Sequence, residues 1–277
     1  MDLIEYSPSR AAYGSRPDGT TERLIVEAKS GHILSVMWHW SVMWHWNAPK
    51  HLLNKKFTND KGRTIDASWR RGFYTEATTF DVRKALANPK SKDYRRLLRD
   101  IDTIAVELKK IQAAGIAVLW RPLHEAEGGW FWWGAKGSDA FQQLWQILYT
   151  RMTQVHGIHN LIWVYTSGGK KEWYPGDQYD DIVGGDAYPS DVTDPLSSLW
   201  DELLMQYDGR KMLALTEFGG VPDVERMARF GVRWAYFASW GDTLGPKTVT
   251  PEELRRLYLE KSVINKSKTD STERQRD

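Results

Sequence analysis

Seven short apolar runs alternate with helix-like segments, and nearly all of them end on polar or aromatic residues. The runs are Leu3–Tyr6, His32–Trp38, Ile116–Leu123, Asn160–Ser167, Asp181–Tyr188, Lys211–Thr216 and Trp234–Trp240. Between them lie helical stretches at Thr21–Ser30, Asp93–Ala114, Asp139–Gln154, Pro195–Gln206, Asp223–Phe230 and Pro251–Glu260. The second of these carries Leu97, Leu98, Ile101, Ile104, Ala105, Leu108 and Ile111 on one helical face. Strand–helix alternation implies a parallel sheet. Such sheets place their sites at the C-terminal edge of the strands. Here that edge collects His124, Glu125, Ser167, Asp186, Tyr188, Glu217 and Trp240. So many contributing strands favour a closed barrel, in which all ends meet at one mouth. No glycine-rich phosphate motif follows any strand, which argues against a nucleotide site.

The 277 residues suit a single barrel domain, 1–265, followed by a polar tail, 266–277, that should be disordered. A net charge of +2 points to neither nucleic acid nor a membrane surface. No apolar run is long enough to cross a bilayer, and the first residues do not read as a signal peptide. The absence of cysteine rules out disulfides and thiolate chemistry. The long segment 47–92 reads as irregular, a length that is usually functional or disordered.

Chemistry concentrates around Val118–Gly134. A buried strand turns polar at His124-Glu125. A loop then follows with four aromatics in five positions, Trp130-Phe131-Trp132-Trp133-Gly134. Sugar rings stack on indole faces, and a carboxylic acid beside aromatic surface holds its proton near neutral pH. Glu217 is the second carboxylate, again just past the apolar part of a strand. Glycosidic cleavage needs such a pair: one acid to protonate the leaving oxygen, one carboxylate to attack or to activate water. The bland reading of each is a salt-bridged rim residue. Adjacent strand residues face opposite sides, so His124 and Glu125 share a face only where the backbone bends. Arg121 is placed to pair with a buried carboxylate, with or without a catalytic part. The 15 tryptophans fit either an indole-rich core or a stacking surface. Three on one glycine-flanked loop favour stacking. The hexapeptide SVMWHW occurs twice in tandem, at Ser35–Trp40 and Ser41–Trp46. One copy can complete a strand and the other must be accommodated beside it. The spacing of His39, His45, His51 and His124 has nothing characteristic of zinc.

These residues make the chain recognisable. It resembles glycoside hydrolase family 26, whose best-known members are endo-β-1,4-mannanases. The likeness runs from Asp2 to about Val263. It is carried by Glu5-Tyr6-Ser7-Pro8-Ser9-Arg10, Trp44-His45-Trp46-Asn47-Ala48-Pro49 and Arg121-Pro122-Leu123-His124-Glu125. Trp130-Phe131-Trp132-Trp133-Gly134, Gly185-Asp186-Ala187-Tyr188-Pro189, Thr216-Glu217-Phe218-Gly219 and Ser239-Trp240-Gly241-Asp242 complete it. The resemblance implies a (β/α)8 TIM barrel and a retaining mechanism without metal or cofactor. It makes Glu125 the acid/base and Glu217 the nucleophile. It also makes His124 a hydrogen-bond partner of the nucleophile and Tyr188 its neighbour. His45, Trp130, Trp133 and Trp240 become substrate-binding residues. The chain departs from the family pattern twice. The family's first strand precedes the region matched, so seven strands are counted and a seam is expected between Leu3–Tyr6 and Trp234–Trp240. The SVMWHW copy is extra. Because Asn47-Ala48-Pro49 follows the second copy, His45 rather than His39 is assigned to the site.

The resulting expectation is an extracellular endo-β-1,4-mannanase acting on β-mannan, with its two carboxyls roughly 5–5.5 Å apart. A β-glucanase or xylanase of the same family is the alternative within the class. A catalytically inactive carbohydrate-binding fragment is the alternative outside it.

Overall fold

The computed structural model describes residues 1–7, 18–42, 56–58, 64–66, 71–207 and 209–265. Its centre is a six-stranded parallel sheet, curled into an open barrel. The strands are β1 (Leu34–Trp38), β4 (Val118–Pro122), β5 (Leu161–Thr166), β6 (Ile182–Ala187), β7 (Met212–Phe218) and β8 (Phe237–Ser239), neighbours in that order. The intervening β2 (Lys56–Thr58) and β3 (Thr64–Asp66) form a separate antiparallel pair. The helices are α1 (Thr20–Lys29), α2 (Val82–Ala87), α3 (Lys92–Ala113), α4 (Ser138–Thr150), α5 (Ser197–Tyr207), α6 (Val224–Phe230) and α7 (Pro251–Leu259). No helix among the described residues is long and apolar enough to cross a membrane.

Each long helix ends where local chemistry dictates. Ser91 caps α3 by accepting from the Tyr94 amide, and Gly115 follows with φ 74°, a left-handed conformation that suits glycine. A reciprocal Thr250–Glu253 capping box starts α7. The expected apolar face of α3 is buried, with Leu97, Ile101, Ile104, Ala105, Leu108 and Ile111 fully enclosed. α2 lies inside the stretch expected to be irregular. Its six residues are too few for a visible periodicity, and the Asp81 side chain caps it.

The sequence-based expectation of a strand at Leu3–Tyr6 is corrected. Only Asp2 bridges to the sheet, opposite Met37, and Ile4–Tyr6 is one turn of 3-10 helix. The Asp2 carboxylate accepts from the Ile4 amide and turns the chain out of the ladder. Among the described residues the parallel sheet therefore has six strands and one bridge, not seven strands. Among the described residues no strand pairing joins β8 to Met1–Leu3, so the sheet has two open edges.

Alternation divides the sheet's two faces. Trp120, Trp163, Val183, Leu213 and Leu215 join the helices in the main core. Val164, Ile182 and Ala214, with Leu119 and Tyr236 against them, form a smaller cluster on the concave face. Arg121 lies two residues beyond Leu119 and so shares that inner face.

Most tryptophans are structural. Trp38, Trp40, Trp120, Trp132, Trp133 and Trp145 are fully buried. Most of their N–H groups find oxygen, as buried indoles require. Trp38 donates to Ser7 Oγ, Trp40 to Asp100 Oδ2, Trp132 to the Trp40 carbonyl and Trp145 to the Tyr179 carbonyl. Trp132 is wedged edge-on between Trp40 and Phe80. Trp132→Ala is therefore expected to cost about 3–5 kcal/mol of unfolding free energy. Urea denaturation measures it, and a loss below about 1 kcal/mol would contradict the packing described.

Candidate active site

The open end of the barrel carries a cleft of about 530 Å³. Asp2, Ile4, His39, Phe73, Tyr74, His124, Glu125, Trp130, Phe131, Tyr188, Glu217 and Trp240 line it. Two backbone features build its carboxylate pair. Past the end of β4, Leu123 and Glu125 both adopt left-handed φ, 52° and 53°. Such values are uncommon away from glycine and are held by the surroundings at functional positions. They break the strand alternation and bring the neighbours His124 and Glu125 onto the same cleft. On the far side, a register shift between Gly185 and Asp186 sets Asp186 opposite Glu217 across β6 and β7. One carboxylate oxygen from each of Glu125, Asp186 and Glu217 falls within 4.8 Å of the other two.

Arg121 is the counter-charge of this cluster. Its Nη1 donates to Asp186 Oδ2 at 2.5 Å and its Nη2 to Glu217 Oε2 at 2.7 Å. Thr216 donates to the other Asp186 oxygen, and the Tyr188 hydroxyl to Glu217 Oε1 at 2.5 Å. Glu217 is thus gripped at both oxygens. Burial works against the Arg121 charge, and the Asp186 and Glu217 carboxylates more than restore it. Burial raises the Asp186 carboxyl, with Arg121 opposing. Three carboxylates this close could bracket a cation, but Arg121 already supplies a positive charge between two of them. Burial and the hydrogen bond to Glu217 raise the Tyr188 phenol, which keeps it a donor.

Glu125 sits differently. Burial, and then the nearby Glu217 charge, raise its carboxyl. Among the described residues its carboxylate accepts one hydrogen bond, from Trp130 Nε1 at 3.0 Å. Gly128 makes that contact possible, because a Cβ there would fall 2.1 Å from the Trp130 ring. The loop is also stitched from outside: Thr75 N–H donates to the Trp130 carbonyl and Trp132 N–H to the Phe73 carbonyl. One carboxyl is therefore biased to hold a proton, and the other is held by two donors.

Glu125, Glu217, His124, Tyr188, Trp130 and Trp240 line one cleft. Three expectations change or stay open. Trp133 is not part of the lining. It is fully buried and donates to the His124 carbonyl, because the loop folds its second and third indoles into the core. Among the described tryptophans only Trp130 and Trp240, at 48% and 37%, are exposed. His124 makes no hydrogen bond to Glu217 among the described residues. Its ring is wedged among His39, Phe131 and Trp133, and its Nδ1 is buried without a partner. Burial, then Arg121, hold it well below the usual histidine range, so it is neutral. His45 lies outside the described residues, and His39 of the first SVMWHW copy stands on the cleft wall. Sequence reasoning missed Asp2, Phe73 and Tyr74, named Phe131 only as part of the aromatic loop, and gave Asp186 no role.

A family model for Glycosyl hydrolase family 26 matches residues 1–268. The chain belongs to glycosyl hydrolase family 26. This family 26 chain is 43% identical over 267 residues to a mannan endo-1,4-beta-mannosidase of Thermothelomyces thermophilus, covering 95% of the chain and 52% of that relative. It is 34% identical over 235 residues to mannan endo-1,4-beta-mannosidase B of a Piromyces species, covering 84% of the chain and 36% of the relative. Its fold matches the crystal structure of the Podospora anserina GH26-CBM35 β-(1,4)-mannanase with a TM-score of 0.85 and 41% identity, over 96% of the chain and 56% of that structure. A β-mannanase from a symbiotic protist of the termite Reticulitermes speratus, complexed with gluco-manno-oligosaccharide, matches with a TM-score of 0.79 and 27% identity, over 97% of the chain and 78% of that structure. The chain spans about half the length of the Thermothelomyces and Podospora relatives.

Proposed function

We propose that this chain is a retaining, endo-acting hydrolase of β-1,4-mannan. The observation that carries the mechanism is the spacing of Glu125 and Glu217, whose nearest carboxylate oxygens lie within 4.8 Å. Retaining glycosidases hold their carboxyls about 5–5.5 Å apart, whereas inverting ones leave about 6.5–9.5 Å for a water. The 43% identical mannosidase supports the choice of mannan. A polysaccharide is too large to enter a cell, which favours action outside it.

Glu125, protonated, gives its proton to the glycosidic oxygen while a Glu217 oxygen attacks the anomeric carbon. The bond to the leaving sugar breaks and a glycosyl ester forms on Glu217. Glu125, now a carboxylate, takes a proton from water, whose oxygen displaces Glu217 and restores the starting configuration. Trp130 and Trp240, the exposed indoles of the cleft lining, are the stacking surfaces for its sugar rings.

Release of reducing sugar from mannan, mixed-linkage glucan and xylan, measured side by side, tests the reading. Mannan should be preferred, with a rapid fall in viscosity and products of retained configuration by NMR. Preference for glucan or xylan would reassign the substrate. Binding of mannan without hydrolysis at high protein concentration would leave a carbohydrate-binding module.

The general acid works only while protonated, so activity is lost as pH rises through the raised value of Glu125. The Trp130 hydrogen bond favours the carboxylate and lowers that value. Trp130→Phe should therefore move the alkaline limb of kcat/KM to higher pH. A limb that stays in place or moves down would exclude this role for the indole N–H.

A further inference from the structure

Met1–Leu3 is zipped to β1 and reaches the cleft. Met37 N–H donates to the Met1 carbonyl, and Leu3 N–H to the Met37 carbonyl. Asp2 sits between these bonds and lines the same cleft as Glu125 and Glu217. Its two oxygens do different work. Oδ1 accepts from the Ile4 and His39 amides, both at 3.0 Å, and so shapes the backbone. Oδ2 lies 2.7 Å from His39 Nδ1. A carboxylate only accepts, so in the neutral ring this contact puts the proton on Nδ1.

The His39 ring is boxed in by apolar and aromatic edges. His124 stands edge-on at 4.6 Å, Phe73 is at 4.6 Å and Phe131 at 5.6 Å between ring centres. The side chain keeps 15% of its exposure, and Nε2 has no partner among the described residues. Nε2 is then the one polar atom that the ring can present to a bound molecule. We propose that Asp2 is a positioning residue. It locks His39 in the Nδ1–H form, so that Nε2 meets a sugar hydroxyl as a hydrogen-bond acceptor. This rests on the cleft taking a polysaccharide, as proposed above. It makes the segment Met1–Leu3 part of the site, and it gives the first SVMWHW copy a role that its histidine does not hold alone.

Asp2→Asn separates this role from a structural one. The asparagine carbonyl keeps both amide bonds at Oδ1, and its NH₂ replaces the acceptor facing Nδ1. A donor there favours the other tautomer, with the proton on Nε2. Nitrogen-15 NMR of histidine-labelled protein should show neutral His39 as Nδ1–H in the wild type and as Nε2–H in Asp2→Asn. kcat/KM on mannan should fall about tenfold or more, the loss of one good hydrogen bond to substrate, with a thermal midpoint near that of the wild type. In a His39→Ala background Asp2→Asn should have no further effect, because Asp2 acts only through that ring. An Nε2–H ring in the wild type overturns the proposal. So does a wild-type kcat/KM in Asp2→Asn, or a loss that persists without His39. If the wild type cleaves none of the three polysaccharides, the functional reading fails, while the NMR still decides the tautomer.

Discussion

Glu217→Ala should lower turnover on mannan by roughly 10⁴-fold or more, the scale seen when a nucleophile is deleted from a site whose other parts remain. Its stability should hardly fall. Arg121 serves two carboxylates with one charge, so Asp186 alone still pairs it after the substitution. Removing a group kept for catalysis from such a cluster is commonly neutral or stabilising. Initial rates on mannan and thermal unfolding, run on the same preparation, check both halves. Wild-type activity would remove Glu217 from the mechanism. A large loss of midpoint would show that Glu217 is a structural anchor first.

Arg121→Met has the opposite profile, since its first effect is on folding. The guanidinium is fully buried and its partners are almost so. Deleting one partner of a buried charge cluster costs about 3–5 kcal/mol, because the remaining charges stay buried without compensation. The cost should depend on pH. Burial already raises Asp186, and Arg121 opposes that rise, so its loss raises the carboxyl further. A carboxyl whose folded value lies above its unfolded value is penalised only when ionised. The destabilisation should therefore be small below the ordinary carboxylate range and grow as pH rises through the folded value. Urea unfolding at acidic and neutral pH measures it. Equal losses at both would show that packing, not charge, is what Arg121 supplies. Arg121→Lys should recover little, since a point charge cannot fork between Asp186 and Glu217.

Much of this site was legible because strand ends are legible. Glu125 and Glu217 each follow an apolar strand core, and a parallel sheet brings such ends to one edge. What lay hidden depends on contacts that local pattern does not encode. The left-handed turns at Leu123 and Glu125 leave no mark at non-glycine residues, so the shared face of His124 and Glu125 could be stated only as a condition. Trp133 reads as an exposed loop aromatic, yet its indole finds the His124 carbonyl and vanishes into the core. Phe73 and Tyr74 sit in an aperiodic stretch, placed by backbone bonds to a loop far away in sequence. Leu3–Tyr6 has the apolar content of a strand, but the neighbouring Asp2 side chain competes for its backbone.

The Arg121 fork also bears on how the barrel assembles. Arg121 stands on β4, and its acceptors stand on β6 and β7. Pairing β4 with β5 alone would enclose a guanidinium with nothing to neutralise it. Only when β6 and β7 have docked does the inner face become electrically acceptable. The four strands should therefore lock together as one cooperative unit, with Asp186 and Glu217 acting as the latch. Hydrogen exchange should find the amides of β4 through β7 opening at a common free energy, and Arg121→Met should split them into separate steps.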